Sequence, residues 1–205
     1  MENPALTNIR AARPDDTGPL AALLARAFAA DPVFDWCLRP WSRRRAAEQF
    51  FAPLIADAIP HGGVRVDDGE TACAVWLPPG VPDSGGGVWA AWKNYLWMLR
   101  VASPLRVSRL KSVIRLSEEV HPPEPCYHLL FIGSLPDARG NGRAAALLKD
   151  MLAAADKAGM SAFLETADAT NIGYYERFGF NVTGHAQLPQ GGPAINLMWR
   201  GTRPD

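Results

Sequence analysis

Residues 134–150 read SLPDARGNGRAAALLKD. Arg139, Gly140, Gly142 and Arg143 sit almost side by side, and an alanine-rich run with helical spacing follows at once. A helix that begins on glycines leaves main-chain N–H groups bare at its positive end. With arginines beside it, such a start suits an anion carrying more than one phosphate. Further along, Glu165 offers a carboxylate for proton transfer, Asn171 an amide and Tyr175 a hydroxyl; upstream, His128 offers an imidazole.

Two loop templates fit the glycines. Gly140, Gly142 and Ala145, with Glu165 about twenty residues on, match the G-x-G-x-x-A turn of dinucleotide-binding folds. Three features oppose that reading. The tetrapeptide PDAR separates the first glycine from the strand before it, about forty residues remain after Glu165 for further parallel strands, and more than half of the chain precedes the loop. The second template is R-x-x-G-x-A, met by Arg139, Gly142 and Ala144 with Gly140 inside.

The elements that must hold these residues can be read from periodicity. A strand over 127–135, a helix over 142–158 with Ala144, Leu148, Met151, Leu152 and Ala155 in its stripe, and a strand over 161–166 make a βαβ unit. Its two strands should be parallel, and Gly159 stands where a C-cap glycine belongs. TNIGYYERFGF predicts a short helix, followed by strands near 180–183 and 194–199. Upstream, residues 6–12 suggest a strand. Leu20, Leu23, Leu24, Ala27 and Phe28 share a helical face, capped by Asp15 or Asp16 and stopped at Asp31-Pro32. A second helix starts near Ser42, with Ala46, Phe50 and Leu54 on one side. GVRVDDGETACAVWLPP reads as a hairpin turning at residues 67–69, where a left-handed residue is needed. A long helical region over 88–119 is interrupted at Pro104.

The order β-run, Pro136, R-x-x-G-x-A, amphipathic helix, β-run, Asn171 and YYERFGF resembles the GNAT superfamily of N-acetyltransferases over roughly residues 127–180. More narrowly, EPCYHLL, AFLET, YYERFGF and the following VTG look like puromycin N-acetyltransferases and their relatives. The resemblance implies an α/β chain, a single domain over 1–205. Its central sheet would be mixed and mostly antiparallel, with one splayed parallel pair, flanked by helices. It implies acetyl-coenzyme A as cosubstrate and a small, partly apolar primary amine as acceptor, acetylated by direct attack on the thioester. A non-catalytic acyl-coenzyme A sensor on the same fold is the alternative.

The same resemblance assigns roles. Arg139, Gly140, Asn141, Gly142, Arg143 and Ala144 would hold the diphosphate, with Arg143 also within reach of the 3′-phosphate. Ile132, Gly133 and Ser134 would pair with the pantetheine arm and offer an N–H to the oxyanion. Tyr175 would protonate the departing thiolate; against this stands a packing role for Tyr174, Tyr175 and Phe178, with Tyr174 and Phe178 four apart on one face. A free tyrosine near pKa ~10 outranks a thiol near ~8.5, so the hydroxyl acts as a hydrogen bond that strengthens as charge develops. Asn171 reads equally as a helix cap or a cofactor contact. For the base that neutralises an ammonium, Glu165 comes first, His128 second, then Glu118, Glu119 and His121.

Bulk composition narrows the partners. Twenty-one basic and 21 acidic residues cancel, leaving no global field for DNA, RNA or an anionic membrane. No apolar run approaches the ~20 residues that span a bilayer, and MENPALTNIRAARPDD lacks a signal-peptide pattern. Cys37, Cys73 and Cys126 read as reduced core residues, and His61, His121, His128 and His185 lack ligand spacing, so a cytoplasmic protein without a metal is expected. Of seven tryptophans, Trp76 falls in the hairpin and is expected in the core. Trp89, Trp92 and Trp97 belong to a helical insertion at about 84–122 that the minimal fold lacks. They pack it onto the domain, or build an apolar acceptor pocket or a homodimer face. Without acidic clusters there, a polycationic acceptor is disfavoured.

Overall fold

The computed structural model describes residues 8–81 and 95–202. Trp89 and Trp92, together with part of the expected insertion, lie outside the described residues.

Among the described residues seven strands form one sheet. They are β1 (Ile9–Ala11), β2 (Val64–Asp67), β3 (Ala72–Leu77), β4 (Cys126–Ser134), β5 (Ser161–Thr166), β6 (Asn181–Gln187) and β7 (Ala194–Arg200), in the spatial order β1-β2-β3-β4-β5-β7-β6. Every pairing is antiparallel except β4–β5, so the mixed, mostly antiparallel sheet with one parallel pair is what the chain builds.

Helices α1 (Thr17–Ala27), α2 (Pro32–Cys37), α3 (Arg43–Ala58), α4 (Tyr95–Ala102) and α5 (Val107–Val120) gather on one face over a core that includes Leu24, Phe34, Phe51, Leu54 and Leu110. On the other face, α6 (Arg143–Lys157) and α7 (Ile172–Glu176) cover a second core around Trp76, Leu148, Met151 and Phe180. Such two-sided coverage is why β3 is buried along its whole length rather than alternating. Among the described residues no helix is long and apolar enough to cross a membrane.

Local chemistry departs from the sequence reading at two helix starts and one hairpin turn. Asp16 stands at the N-cap position of α1, but its side chain makes no cap hydrogen bond; its carboxylate takes hydrogen bonds from Arg10 and from the Arg13 amide instead. Asp31, expected as a stop, caps α2, accepting from the amides of Val33 and Phe34. The β2–β3 turn does contain a left-handed residue, but it is Glu70 (φ 51°), because Asp67 folds its carboxylate back onto the amides of Thr71 and Ala72. The Pro104 interruption, by contrast, separates α4 from α5, with Ser103 at φ 72°. Trp76 is fully buried.

Candidate active site

The site begins where two strands part. The parallel ladder joins Cys126, Tyr127, His128 and Leu129 to Ser161, Ala162, Phe163 and Leu164, and then stops. Beyond it, among the described residues, Glu165 and Thr166 pair only with β7, while residues 131–134 pair only with β3. A bulge explains the parting: Val75 faces Phe131 and Trp76 faces Leu129, which leaves Leu130 without a partner on β3. An extra residue bends its strand and increases the twist, and here it steers β4 away from β5. Leu130 and Phe131 consequently both pack towards the α1–α5 face. Their carbonyls and amides on the β5 side form an open edge of the kind an extended ligand can join.

A cleft of about 1170 Å³ occupies the gap and runs through the sheet. On the α6 side it meets the start of that helix. Gly140 (φ 79°) and Gly142 (φ 74°) both adopt the left-handed conformation, and a Cβ on either would meet nothing within 4 Å. These glycines are therefore required by backbone angle, and their outer faces are open. No side chain caps the helix, whose first turn of hydrogen bonds starts with the Ala146 amide on the Gly142 carbonyl. The amides ahead of it point outward at the positive end of a helix of 15 residues.

The structure brings Ile132, Gly133, Ser134, Arg139, Gly140 and Gly142 to the cleft wall, with Arg143, Ala144 and Asn171. Asn141 is exposed and is not part of that wall. Gly133 has a further reason to be glycine: a Cβ there would lie 2.7 Å from that of Ala27, so its absence lets α1 sit against β4. Asn171 does not cap the short helix; Asp168 does that work one turn earlier, accepting from the Thr170 amide at 2.9 Å.

Both loop arginines are held by the protein. Arg139 donates to the Ala27 carbonyl at 2.9 Å. Arg143 turns back to Asp67, a fully buried carboxylate that also accepts from Thr71 and Ala72. Burial alone would raise the Asp67 pKa, but the amides of Ala72 and Thr71 and the Arg143 guanidinium outweigh it and hold the carboxyl below its ordinary range. Gly69 makes room: a Cβ there would lie 2.9 Å from Arg143 Nη1. A second tie runs the other way, from Arg65 on β2 to Asp150 on α6 at 2.9 Å. Helix α6 is thus clamped to the β2–β3 hairpin at its first and second turns.

Tyr174 and Tyr175 both line the cleft. Tyr175 is 8 % exposed and packs on Phe180; burial, then the neighbouring Tyr174, pushes its phenol above the ordinary value. A phenol held that way stays protonated, as a hydrogen-bond donor must. The four-residue spacing does bring Tyr174 against Phe178 (5.2 Å between centroids), but the Tyr174 hydroxyl is buried without a partner among the described residues. The turn after α7 is fixed by Arg200, which donates to the Phe178 carbonyl and forms a bidentate pair with Asp156 of α6.

Across the sheet, the wall includes Phe28, Phe34, Phe50, Phe131, Val113 and Leu116. Their rings meet mostly edge to face, as Phe34–Phe50 do at 5.2 Å. Glu165 sits at the mouth of this apolar chamber, its Oε2 accepting from Ser117 Oγ at 3.2 Å and lying 3.5 Å from His128 Nε2. Among the other base candidates, Glu118 and Glu119 are exposed, Glu119 on Arg115, and the His121 ring meets that of His128 edge to face. Trp97 lies flat on Phe50 and donates to the Gln49 carbonyl, which packs α4 onto α3.

Sequence reasoning found the glycine loop because its signal is local. It missed Asp67, Ser117, Arg200 and the phenylalanine wall, each of which reaches the site from a distant element. Only Asp67 left a trace, as an acidic turn beside a strand.

A helix start open to a diphosphate, abutting a splayed parallel pair, defines the class, and the comparisons agree. The model of the Acetyltransferase (GNAT) family matches residues 31–180, and the chain belongs to that family. Its members use acetyl-coenzyme A as cosubstrate. Among solved structures, a protein of Corynebacterium glutamicum described as "histone acetyltransferase HPA2 and related acetyltransferase" is 21 % identical. The match covers 97 % of this chain and 98 % of that one at a TM-score of 0.67. The polyamine N-acetyltransferase of Drosophila melanogaster is 15 % identical over 95 % and 99 % (TM-score 0.59). Arylalkylamine N-acetyltransferase 2 of Aedes aegypti is 11 % identical over 96 % and 99 % (TM-score 0.61). At these identities the likeness is one of fold.

Proposed function

We propose that this protein transfers the acetyl group of acetyl-coenzyme A to a small, partly apolar primary amine, which attacks the thioester directly. The observation that carries the reading is the cleft itself. It joins uncapped amides and two tyrosines on one face of the sheet to a carboxylate inside an aromatic chamber on the other. Two substrates can meet only where the strands part.

In this reading the amides of residues 140–145 hold the diphosphate, and the open β4 edge at Ile132, Gly133 and Ser134 pairs with the pantetheine arm. Arg143 contributes by fixing the loop through Asp67. An alkyl ammonium near pKa ~10 must lose a proton before attack, and Glu165 receives it. The neutral nitrogen forms its bond to the thioester carbon while a β4 amide meets the developing oxyanion. The carbon–sulfur bond then breaks, and the Tyr175 hydroxyl supplies hydrogen bonding and a proton to the thiolate. Tyr175 regains that proton from the nitrogen, now an amide, so one proton per turnover is released through Glu165.

The segment at about 84–122 serves as an insertion whose helix α5 supplies Val113, Leu116 and Ser117 to the acceptor wall. The buried thiols Cys37, Cys73 and Cys126 suit a reducing, cytoplasmic setting. The amines named for the solved neighbours and the puromycin-like pattern of the sequence together set the acceptor panel. Release of free thiol from acetyl-coenzyme A should be measured against polyamines, arylalkylamines and aminonucleosides. Amine-dependent release with an apolar acceptor supports the reading. Coenzyme binding with no release across the panel would instead mark a non-catalytic acyl-coenzyme A sensor.

A further inference from the structure

His128 is the least satisfied polar group near the cleft. It is 1 % exposed, and neither ring nitrogen has a hydrogen-bond partner among the described residues. Burying an unpaired polar group costs stability, so an imidazole without partners in a well-packed strand calls for another explanation. Its surroundings supply one. On its own strand it lies level with Leu77 of β3 and Phe163 of β5, and Nε2 lies 3.5 Å from Glu165 Oε2. His121, beyond the end of α5, stands 5.3 Å away between ring centroids. Its Nδ1 faces the Pro122 carbonyl at 2.8 Å, and a carbonyl can only accept, so Nδ1 carries the proton and Nε2 is left as an acceptor. The remaining acids of α5, Glu118 and Glu119, point to solvent.

We infer that His128 is the proton-holding partner of Glu165, a positioning residue that acts through that carboxylate and never touches the amine. This rests on Glu165 being the base. The ammonium gives a proton to Glu165, leaving a neutral amine and a carboxylic acid. The acid passes it to His128 Nε2, restoring the carboxylate and forming an imidazolium beside it. The proton then leaves by way of His121 towards solvent. Each step moves one proton and breaks no other bond. A carboxylate backed by an imidazole can discharge its proton away from the cleft while both substrates still fill it. The Ser117 hydroxyl keeps Oε2 turned towards the ring.

The test separates proton removal from structure by the choice of acceptor. His128→Gln and the wild type would be assayed with a strongly basic alkylamine and with a weakly basic amine of similar shape that is already neutral at pH 7. The expected result is a loss of about 10- to 100-fold in kcat/KM for the alkylamine, at or below the lower end of the usual effect of a direct acid or base, as suits a residue acting through another. Less than a threefold change is expected for the weakly basic amine. Equal losses on both, or none on either, overturn the inference while leaving the transferase reading intact. Wild type inactive on both amines defeats that reading itself.

Discussion

The two halves of the cleft are built in opposite ways. The face proposed for the coenzyme comes from one continuous piece of chain, residues 131–145, plus the short helix at Tyr174 and Tyr175. The face proposed for the acceptor is collected from the end of α1 and from α2, α3, α5, β4 and β5, with Phe28, Phe34, Phe50, Val113, Phe131 and Glu165 each arriving from a different place. The first is governed by backbone: left-handed glycines, an uncapped helix and an unpaired strand edge. The second is governed by side chains. One half can therefore be kept by a few small residues, whereas the other can be resculpted by exchanging one apolar group for another. A coenzyme common to a family and an acceptor that differs among its members fit that division.

The sharpest way to break this comparison is Glu165→Gln. It should lower kcat/KM for a basic amine by about 10²- to 10³-fold and leave coenzyme affinity unchanged by calorimetry; a matching loss of coenzyme affinity would erase the distinction between the faces. Tyr175→Phe should reduce kcat by about 10²-fold at constant coenzyme affinity. Tyr174→Phe should do far less, and if the two results are exchanged, the buried hydroxyl of Tyr174 is the donor. Gly142→Ala forces a side chain into φ 74°. At about 1–2 kcal/mol for a left-handed alanine, coenzyme affinity should weaken roughly tenfold while the acceptor KM holds.

The smallest effect tests the clamp on the loop. Asp67 has a folded pKa below its ordinary value, so its contribution to stability is complete above the unfolded value of about 4. That contribution fades as pH falls through the lower folded value. Asp67→Asn should therefore melt several degrees below the wild type at pH 7, and the gap should narrow towards pH 3. A gap that does not depend on pH would mean that the carboxylate's charge is not what holds Arg143.

The same division decides what could be read from sequence. The βαβ unit, the C-cap at Gly159 (φ 63°) and the strand Ser161–Thr166 follow from periodicity and glycine conformation, and both act within a few residues. The strand parting was legible only through family resemblance. Its cause, the extra residue at Leu130, depends on register with β3, which no local pattern encodes. Cap hydrogen bonds were not legible where an aspartate had a stronger partner elsewhere: Asp16 stands at the N-cap of α1, but Arg10 holds its carboxylate. Arg143 was expected beside a phosphate because its loop is phosphate-like, and it does line the cleft; its ion pair with Asp67, 76 positions away, could not be read from that loop. Long-range ion pairs of this kind leave no trace in spacing.

The central claim is that one coenzyme threads the parted strands. A crystal structure with bound coenzyme A tests it most directly. The diphosphate should accept from main-chain amides within residues 140–145, the pantetheine arm should pair with β4 at residues 132–134, and the sulfur should lie beside Tyr175. A coenzyme seated elsewhere, with those amides facing solvent and the β4 edge still open, would contradict the account.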